Sequence, residues 1–108
     1  MKKLQELGLM SSFITDAGLK ELHELSDLRT LHIGFTAVGD SGLKDLKTLN
    51  LQSLWLSHTL VTDAGLVELA QIKSLKDLQL IDTKVTEAGV SKFRDKLPRC
   101  SVTLKQNF

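Results

Sequence analysis

A six-residue block recurs four times along this 108-residue chain, and its near-constant spacing constrains the fold more than any other feature. The copies begin 24, 23 and 24 residues apart, and they are Ile14–Leu19, Val38–Leu43, Val61–Leu66 and Val85–Val90. An alternating apolar pair precedes each copy, and the five pairs of the chain are Leu7/Leu9, Leu31/Ile33, Leu54/Leu56, Leu78/Leu80 and Val102/Leu104. A unit this short cannot bury an apolar face alone, so the sequence predicts a stack of units with one shared core.

The hydrophobic spacing changes within each unit, which predicts two kinds of secondary structure. Leu31 and Ile33 follow a period of two, as in a strand with one buried face. Leu43, Leu46 and Leu49 then recur every third residue, which places them on one side of a short helix. Each unit is therefore predicted to be one strand followed by one short helix.

The recurring block also contains residues that are typical of the start of a helix. A threonine precedes an acidic residue in three copies, which predicts hydroxyl N-caps at Thr15, Thr62 and Thr86. A single glycine recurs two residues after the acidic position, at Gly18, Gly42, Gly65 and Gly89. No lysine-bearing phosphate loop accompanies these glycines. They are therefore predicted to allow close approach between each helix and a neighbouring turn.

The segment 28–38, Leu-x-x-Leu-x-Ile-x-x-Thr-x-Val, resembles the leucine-rich repeat, whose signature is L-x-x-L-x-L-x-x-N/C-x-L. Its V-T-D-A-G-L continuation is similar to the ribonuclease-inhibitor-like and cysteine-containing subclasses, and to bacterial-type repeats with threonine at the N/C position. The resemblance implies an α/β fold, a right-handed leucine-rich-repeat solenoid of about 4.5 units. It implies a short horseshoe with a parallel curved sheet on the concave face and helices on the convex face. It also implies, as the most frequent use of the family, protein recognition on the concave sheet, and it does not imply an enzyme.

The chain is predicted to be a single leucine-rich repeat domain, with units near residues 4–27, 28–50, 51–74 and 75–98 and a half-unit at 99–108. It departs from the family signature at the N/C position, which is occupied by Ser12, Thr36, Thr59 and Thr83. Hydroxyl groups are therefore expected to make any hydrogen bonds between neighbouring turns at this position.

The two ends of the repeat array give different expectations. No polar cap precedes Leu4, so the first core face and strand edge are expected to be uncovered. This predicts a piece of a longer protein, or self-association through the N-terminal edge. Pro98 ends the last helical pattern, and Cys100 is predicted to be a buried core or cap residue and not a nucleophile.

The overall composition lowers the expectation of several partner classes. The chain has 14 basic and 13 acidic side chains, so no global field attracts nucleic acid or an anionic membrane. No apolar run approaches the roughly 20 residues that span a bilayer. Cys100 has no second cysteine with which to form an internal disulfide, and no secretory signal is recognised, so a cytoplasmic location is expected.

If the strand leucines point inward, their alternating neighbours form rows on the outer surface of the sheet. The first row is predicted to be Gly8, His32, Trp55, Gln79 and Thr103, and the second Met10, Gly34, Ser57 and Ile81. A third row is Ser11, Phe35, His58 and Asp82. This arrangement puts Trp55 in mid-sheet, with Phe35 beside it. The predicted protein-binding residues on the concave face are Trp55, Phe35, His32, His58, Gln79 and Asp82.

Two chemical alternatives involve the same residues. Ser57, His58 and Asp82 contain the residue types of a hydrolytic triad, but consecutive strand residues point to opposite sides and no oxyanion hole is recognisable. His32, His58 and Asp82 are possible metal ligands, but no close-spaced motif supports them. The expectation is therefore no catalytic site, no metal and no cofactor.

The predicted function is non-catalytic recognition of a protein partner on the concave sheet. The alternative is a structural segment of a longer leucine-rich array, or of a ubiquitin-ligase-type substrate receptor, whose N-terminal edge packs against a neighbour. Trp55 would then only cover sheet surface. The sequence identifies neither the partner nor the process.

Overall fold

The computed structural model describes residues 5–8 and 14–104, which form a stack of strand–helix units. The strands of these residues are β1 (Glu6–Gly8), β2 (Thr30–His32), β3 (Ser53–Trp55), β4 (Asp77–Gln79) and β5 (Ser101–Thr103). The α-helices of these residues are α1 (Asp16–Leu19), α2 (Asp40–Leu43), α3 (Asp63–Leu69) and α4 (Glu87–Lys96). Helical turns of 3₁₀ type extend α1 over Lys20–Glu24 and α2 over Lys44–Leu46. This α/β solenoid confirms the predicted fold class.

The strands form one parallel sheet in the order β1-β2-β3-β4-β5, with equivalent residues of successive units side by side. Leu31 pairs with Leu54, and Leu54 pairs with Leu78. The row Gly8, His32, Trp55, Gln79, Thr103 is also in register, as the sequence predicted. Met10, Ser11 and Ser12 lie outside the described residues.

The core lies between the sheet and the helices. Leu31, Leu54 and Leu78 are fully buried from the strand side, and Leu43 and Phe93 reach the same core from the helices. A buried leucine contributes roughly 2 kcal/mol by removal of its apolar surface from water. The stacked leucines are therefore the main stabilising contribution, and each unit depends on its neighbours for it.

Cys100 belongs to this core, as the sequence predicted. Burial raises the pKa of its thiol to about 11, and the Asp77 carboxylate adds to the rise. A thiol with such a pKa is protonated at neutral pH and is a poor nucleophile.

The aspartates that start α1, α2 and α3 bond to the next unit, a role that the sequence analysis did not identify. Asp40 accepts from Thr62 through Oδ1 to the backbone N–H at 2.8 Å and through Oδ2 to the hydroxyl at 2.5 Å. Asp63 accepts from Thr86 in the same way, at 2.8 and 2.6 Å. Asp16 accepts from the Gly39 N–H at 2.8 Å and the Ser41 hydroxyl at 2.6 Å. These three carboxylates form an aspartate ladder along the helical side.

The recurring glycines leave space for this aspartate ladder. A Cβ atom at Gly65 would lie 2.5 Å from Asp40 Oδ1 and 2.8 Å from Leu43 Cδ1. A Cβ atom at Gly42 or Gly89 would collide with the carboxylate of the preceding unit in the same way. The close approach predicted from the glycines is confirmed, and the group that approaches is a carboxylate.

The predicted N-caps are confirmed at two of three positions. The Thr62 hydroxyl accepts from the Ala64 N–H at 3.3 Å, and the Thr86 hydroxyl accepts from the Gly89 N–H at 3.2 Å. Thr15 makes no side-chain cap. In the two capping residues the hydroxyl proton is donated to an aspartate of the preceding unit, which orients the oxygen toward the helix. No earlier aspartate of this kind precedes Thr15 in the chain.

The expectation of hydroxyl bonds between turns at the N/C position is wrong. Thr36 donates to Ile33 O at 2.8 Å, and Thr59 donates to Leu56 O at 2.6 Å. Thr83 donates to Leu80 O at 2.9 Å. Each hydroxyl therefore closes its own turn, because a threonine side chain reaches the carbonyl three residues earlier. Backbone groups connect the units here, for example Phe35 N–H to Ser57 O at 2.9 Å.

We expect Gly65→Ala to lower the free energy of unfolding by about 1–3 kcal/mol, because the new methyl group overlaps Asp40 and Leu43. Gly8→Ala is the matched control, since a Cβ atom there meets nothing within 4 Å among the described residues. Urea unfolding followed by circular dichroism measures both. Equal stabilities of the two variants would show that the glycine does not serve the aspartate ladder.

The stabilising effect of Asp63 is expected to depend on pH. The Thr86 hydroxyl and then the Thr86 N–H hold the pKa of the Asp63 carboxyl below its ordinary value of 3.8, while partial burial opposes them and Lys92 adds a smaller lowering. A lowered pKa in the folded state means that the stabilisation is present above pH 3.8 and lost as pH falls through the folded value.

We therefore expect Asp63→Asn to be less stable than the parent at pH 7, by at most about 1 kcal/mol because solvent screens the group. The difference should shrink below about pH 4. Glu87→Gln is the control, because Glu87 starts α4 but makes no ladder bond among the described residues. A stability difference that stays constant from pH 7 to pH 3 would contradict this role.

Candidate functional site

The surface of the sheet that faces away from the core carries the residues that the sequence analysis nominated. We call it the sheet face and define it by the side chains that alternate with the buried leucines, together with the residues that follow each strand. Its members among the described residues are Glu6, Gly8, Thr30, His32, Gly34, Phe35, Ser53, Trp55, Ser57, His58, Asp77, Gln79, Ile81, Asp82, Ser101 and Thr103.

Trp55 lies at the centre of the sheet face and is half-buried. Its indole ring stacks on His32 of the neighbouring strand, with ring centroids 3.7 Å apart and an interplanar angle of 10°. Its Nε1–H donates to Asp77 Oδ2 at 3.2 Å, and the Ser53 hydroxyl donates to the same oxygen at 3.3 Å. Contacts on two sides hold the indole in one orientation.

A second row of functional side chains lies just past the carboxyl ends of the strands. Phe35 stacks on His58 with ring centroids 4.1 Å apart, and His58 Nδ1 lies 2.9 Å from Asp82 Oδ2. The Phe35 side chain is largely exposed, with 57% of the residue surface accessible. These three residues form a continuous chain of contacts across three units.

All three residues of this row have a left-handed backbone. The φ angles are 58° at Phe35, 59° at His58 and 56° at Asp82. This conformation costs a non-glycine residue roughly 1–2 kcal/mol, yet the chain adopts it in three successive units. The turn carries the three side chains beyond the strand ends, where they form their own row.

Four of the six nominated residues thus form two stacked pairs, and the six do not form one cluster around Trp55. Trp55 pairs with His32, whereas Phe35, which was expected beside Trp55, pairs with His58. The reason is the left-handed turn, which moves Phe35 out of the strand row. Gln79 lies next to Trp55 in the sheet register, as predicted.

The structure brings His58 and Asp82 together but gives Ser57 a different partner. Ser57 Oγ accepts from the Ile81 N–H at 3.0 Å, so the hydroxyl is directed to the next strand. A Cβ atom at Gly34 would lie 2.9 Å from Ser57 O, which shows how closely the two units approach here. The hydrogen bonds of the described residues contain no Ser57–His58 contact, and Ser57 bonds the sheet.

Metal binding finds no support in the part of the chain that the structure describes. His58 and Asp82 are in contact, but His32 is stacked on Trp55 instead of approaching them. No group of three or more histidine, cysteine, aspartate or glutamate side chains in residues 5–8 and 14–104 is placed to hold a metal ion.

A groove of about 440 Å³ lies on the helical side, between α3 and α4. Its walls include Val67 and Phe93, and Lys92 and Lys96 lie along α4. Val67 is 67% exposed. The sequence analysis did not predict this groove, because a single valine does not disturb the charged pattern of the helices.

Comparison with known proteins agrees with this architecture. A family model for the leucine-rich repeat matches residues 24–47, which span the end of the first unit and most of the second. The chain has the leucine-rich-repeat fold, and residues 24–47 match the model of that family. Its subclass stays a prediction. A search of curated proteins found no match.

Solved structures of leucine-rich-repeat proteins resemble this chain over nearly its whole length. Actin-Binding Site 2 of leiomodin-1 matches with a TM-score of 0.73 and 16% identity over 99% of this chain and 73% of that one. A leucine-rich-repeat protein of Leptospira interrogans matches with a TM-score of 0.67 and 28% identity, over 92% of this chain and 25% of that one.

An internalin of Listeria monocytogenes matches with a TM-score of 0.61 and 22% identity, over 100% of this chain and 36% of that one. The chain thus spans about a quarter and a third of the two bacterial proteins. Leucine-rich-repeat proteins are generally binding scaffolds without enzyme activity, and the fold is consistent with a protein-interaction module.

The longest helix in the described part of the chain, α4, has 10 residues. None of the helices there is both long and apolar enough to cross a membrane.

The left-handed turn gives a testable stability effect at Asp82. We expect Asp82→Gly to keep or raise the free energy of unfolding, by up to about 1 kcal/mol, because glycine adopts positive φ without strain. The His58–Asp82 contact that is lost is exposed and contributes little. Gln52→Gly is the control at an exposed position with ordinary φ, and it should lose about 0.5–1 kcal/mol. Thermal unfolding of both variants measures the difference, and equal losses would contradict the strain.

Proposed function

We propose that this protein is a non-catalytic recognition module that binds a protein partner on its sheet face. The binding centre is formed by Trp55, Phe35, His32 and His58, with Gln79 and Asp82 beside them. The observation that carries the proposal is the pair of aromatic stacks held at the surface, one of which ends in the exposed Phe35 ring.

Aromatic rings that are already fixed in one orientation suit protein binding for an energetic reason. A partner that covers a mobile side chain loses part of its binding free energy to ordering that side chain, about 0.5–1.5 kcal/mol each. Trp55 is already fixed by His32 on its face and Asp77 at its nitrogen. Tryptophan is also among the residues most often found to dominate interface energetics.

The backbone strain supports the same proposal. Three unfavourable φ values in one row reduce stability, and strained residues cluster where binding or catalysis needs a particular geometry. Ser57 is bonded to the sheet, so the strained row has no nucleophile of the triad type. The contacts of the Phe35, His58 and Asp82 row are consistent with recognition of a partner.

The similarity to Actin-Binding Site 2 of leiomodin-1 supports protein binding as a use of this fold. That protein is an actin-binding site, and its fold matches this chain over 99% of the length. At 16% identity the likeness concerns the fold alone. We therefore transfer the idea of a protein partner and not the identity of the partner.

We expect Trp55→Ala to raise the Kd for a captured partner more than about fivefold, which corresponds to about 1 kcal/mol. The partner is identified by mass spectrometry as a protein retained by the parent chain and lost with the variant, and Kd is then measured by calorimetry. Val67→Ala and Lys47→Ala on the helical side are matched controls and should leave Kd unchanged. Equal effects at Trp55 and Val67 would refute the sheet face as the binding surface.

A second candidate is a structural segment of a longer array, as in a modular substrate receptor. The fact that favours it is length, since the chain spans only 25% and 36% of two similar structures. Light scattering separates the two candidates. A folded monomer would count against an obligatory neighbour, whereas defined head-to-tail oligomers would support one.

A further inference from the structure

The charges on the sheet face have one sign. Its described residues include the carboxylates Glu6, Asp77 and Asp82 and contain no lysine or arginine. The whole chain has 14 basic and 13 acidic side chains, so an acidic surface is not a consequence of composition. The described residues of this face therefore carry a net negative charge on a nearly neutral protein.

Two of these carboxylates keep unused hydrogen-bonding capacity. Asp77 receives its bonds from Trp55 and Ser53 through Oδ2, and Asp82 contacts His58 through Oδ2. In both residues Oδ1 has no partner among the described residues. A carboxylate has about four acceptor positions, so each can bind a further donor without giving up its present one.

Each carboxylate also lies beside an aromatic stack. Asp77 is bonded to the indole of Trp55, and Asp82 is in contact with His58, which stacks on Phe35. A guanidinium group forms a forked pair with a carboxylate and also stacks on aromatic rings. At two places the sheet face thus combines a carboxylate with an aromatic stack. This combination suits an arginine side chain, and it suits lysine less fully.

The distance between the two places limits the shape of the ligand. Asp77 begins β4, and Asp82 lies five residues further along the same unit. At about 3.3 Å per residue the two are at most roughly 17 Å apart. An extended peptide with two basic residues about five positions apart spans this distance.

Arg29 and Lys76 directly precede strands β2 and β4, and Lys84 follows Asp82 by two residues; all three lie outside the sheet face. Arg29 donates from Nη1 to the carbonyl oxygens of Ser26 and Leu28, at 3.4 and 3.3 Å, so its guanidinium is turned to the preceding loop. Lys76 is exposed immediately before Asp77. Among the described residues no lysine or arginine forms an ion pair with Asp77 or Asp82, and the one charged contact of Asp82 is with His58.

We propose that the partner presents a basic segment to this face, with arginine or lysine side chains about five residues apart that pair with Asp77 and Asp82. This inference rests on the proposed function, because it concerns the same surface. It adds the charge and spacing of the partner.

The test uses three acetylated octapeptides, GRGSGSRG and the versions with glutamine or glutamate at both arginine positions. Binding to the intact chain is followed by the fluorescence of Trp55, the only tryptophan, and by ¹⁵N amide shifts. The double variant Asp77→Asn/Asp82→Asn tests the two carboxylates. Asp45→Asn/Asp95→Asn on the helical side makes the same change of net charge and is the control.

We expect the arginine peptide to shift sheet-face amides and to bind at least about tenfold more tightly than the glutamine peptide. That preference should disappear in Asp77→Asn/Asp82→Asn, persist in the control and weaken with added salt. Equal binding of the three peptides would overturn the proposal. So would an arginine preference that survives loss of both carboxylates, or no arginine-peptide binding at millimolar concentration.

The same variants separate this inference from the proposed function. If the partner captured through the Trp55 comparison binds Asp77→Asn/Asp82→Asn as well as the parent, the basic segment is refuted and recognition on the sheet face stands. If capture is independent of Trp55, the proposed function itself fails.

Discussion

The register between successive units is the constraint on which the rest of this structure depends. A strand and a short helix cannot bury their leucines alone, so the equivalent residues of neighbouring units must lie side by side. Backbone hydrogen bonds between parallel strands fix this alignment on the sheet side. The carboxylates of Asp16, Asp40 and Asp63 fix it on the helical side. A slip of one residue would turn the leucines outward and move each carboxylate away from its glycine.

The candidate binding surface is a product of this register. Because equivalent positions lie side by side, His32 meets Trp55, and Phe35 meets His58. Residues that are 23 apart in the sequence thereby become stacked rings. The strand row follows directly from sheet pairing, whereas the outer row also requires a left-handed residue in three successive turns. The surface is therefore maintained at some cost in backbone strain.

Aspartate has two different uses in this protein, and their surroundings distinguish them. In the aspartate ladder both oxygens accept bonds from the next unit, as Asp63 does from Thr86. On the sheet face Asp77 and Asp82 use one oxygen each and keep the other available among the described residues. The first use stabilises the stack, and the second gives the face its charge. Their places in the repeat also differ, since the ladder aspartates occupy the same position in three units, whereas Asp77 and Asp82 each occur once at their position.

The sequence by itself determined the unit length, the strand and helix in each unit, the inward leucines and the strand row that contains Trp55. These features follow from the local periodicity of the sequence, and the same periodicity occurs in every unit of the repeat. Only the tertiary structure decided what each side chain touches: that aspartates fill the space above the glycines, that Thr36 closes its own turn, and that Phe35, which the sequence put both in one row with His58 and beside Trp55, stacks on His58 and not on Trp55. Such contacts depend on backbone angles and on distances between units of a few ångströms, and the spacing of residue types along the chain does not contain that information.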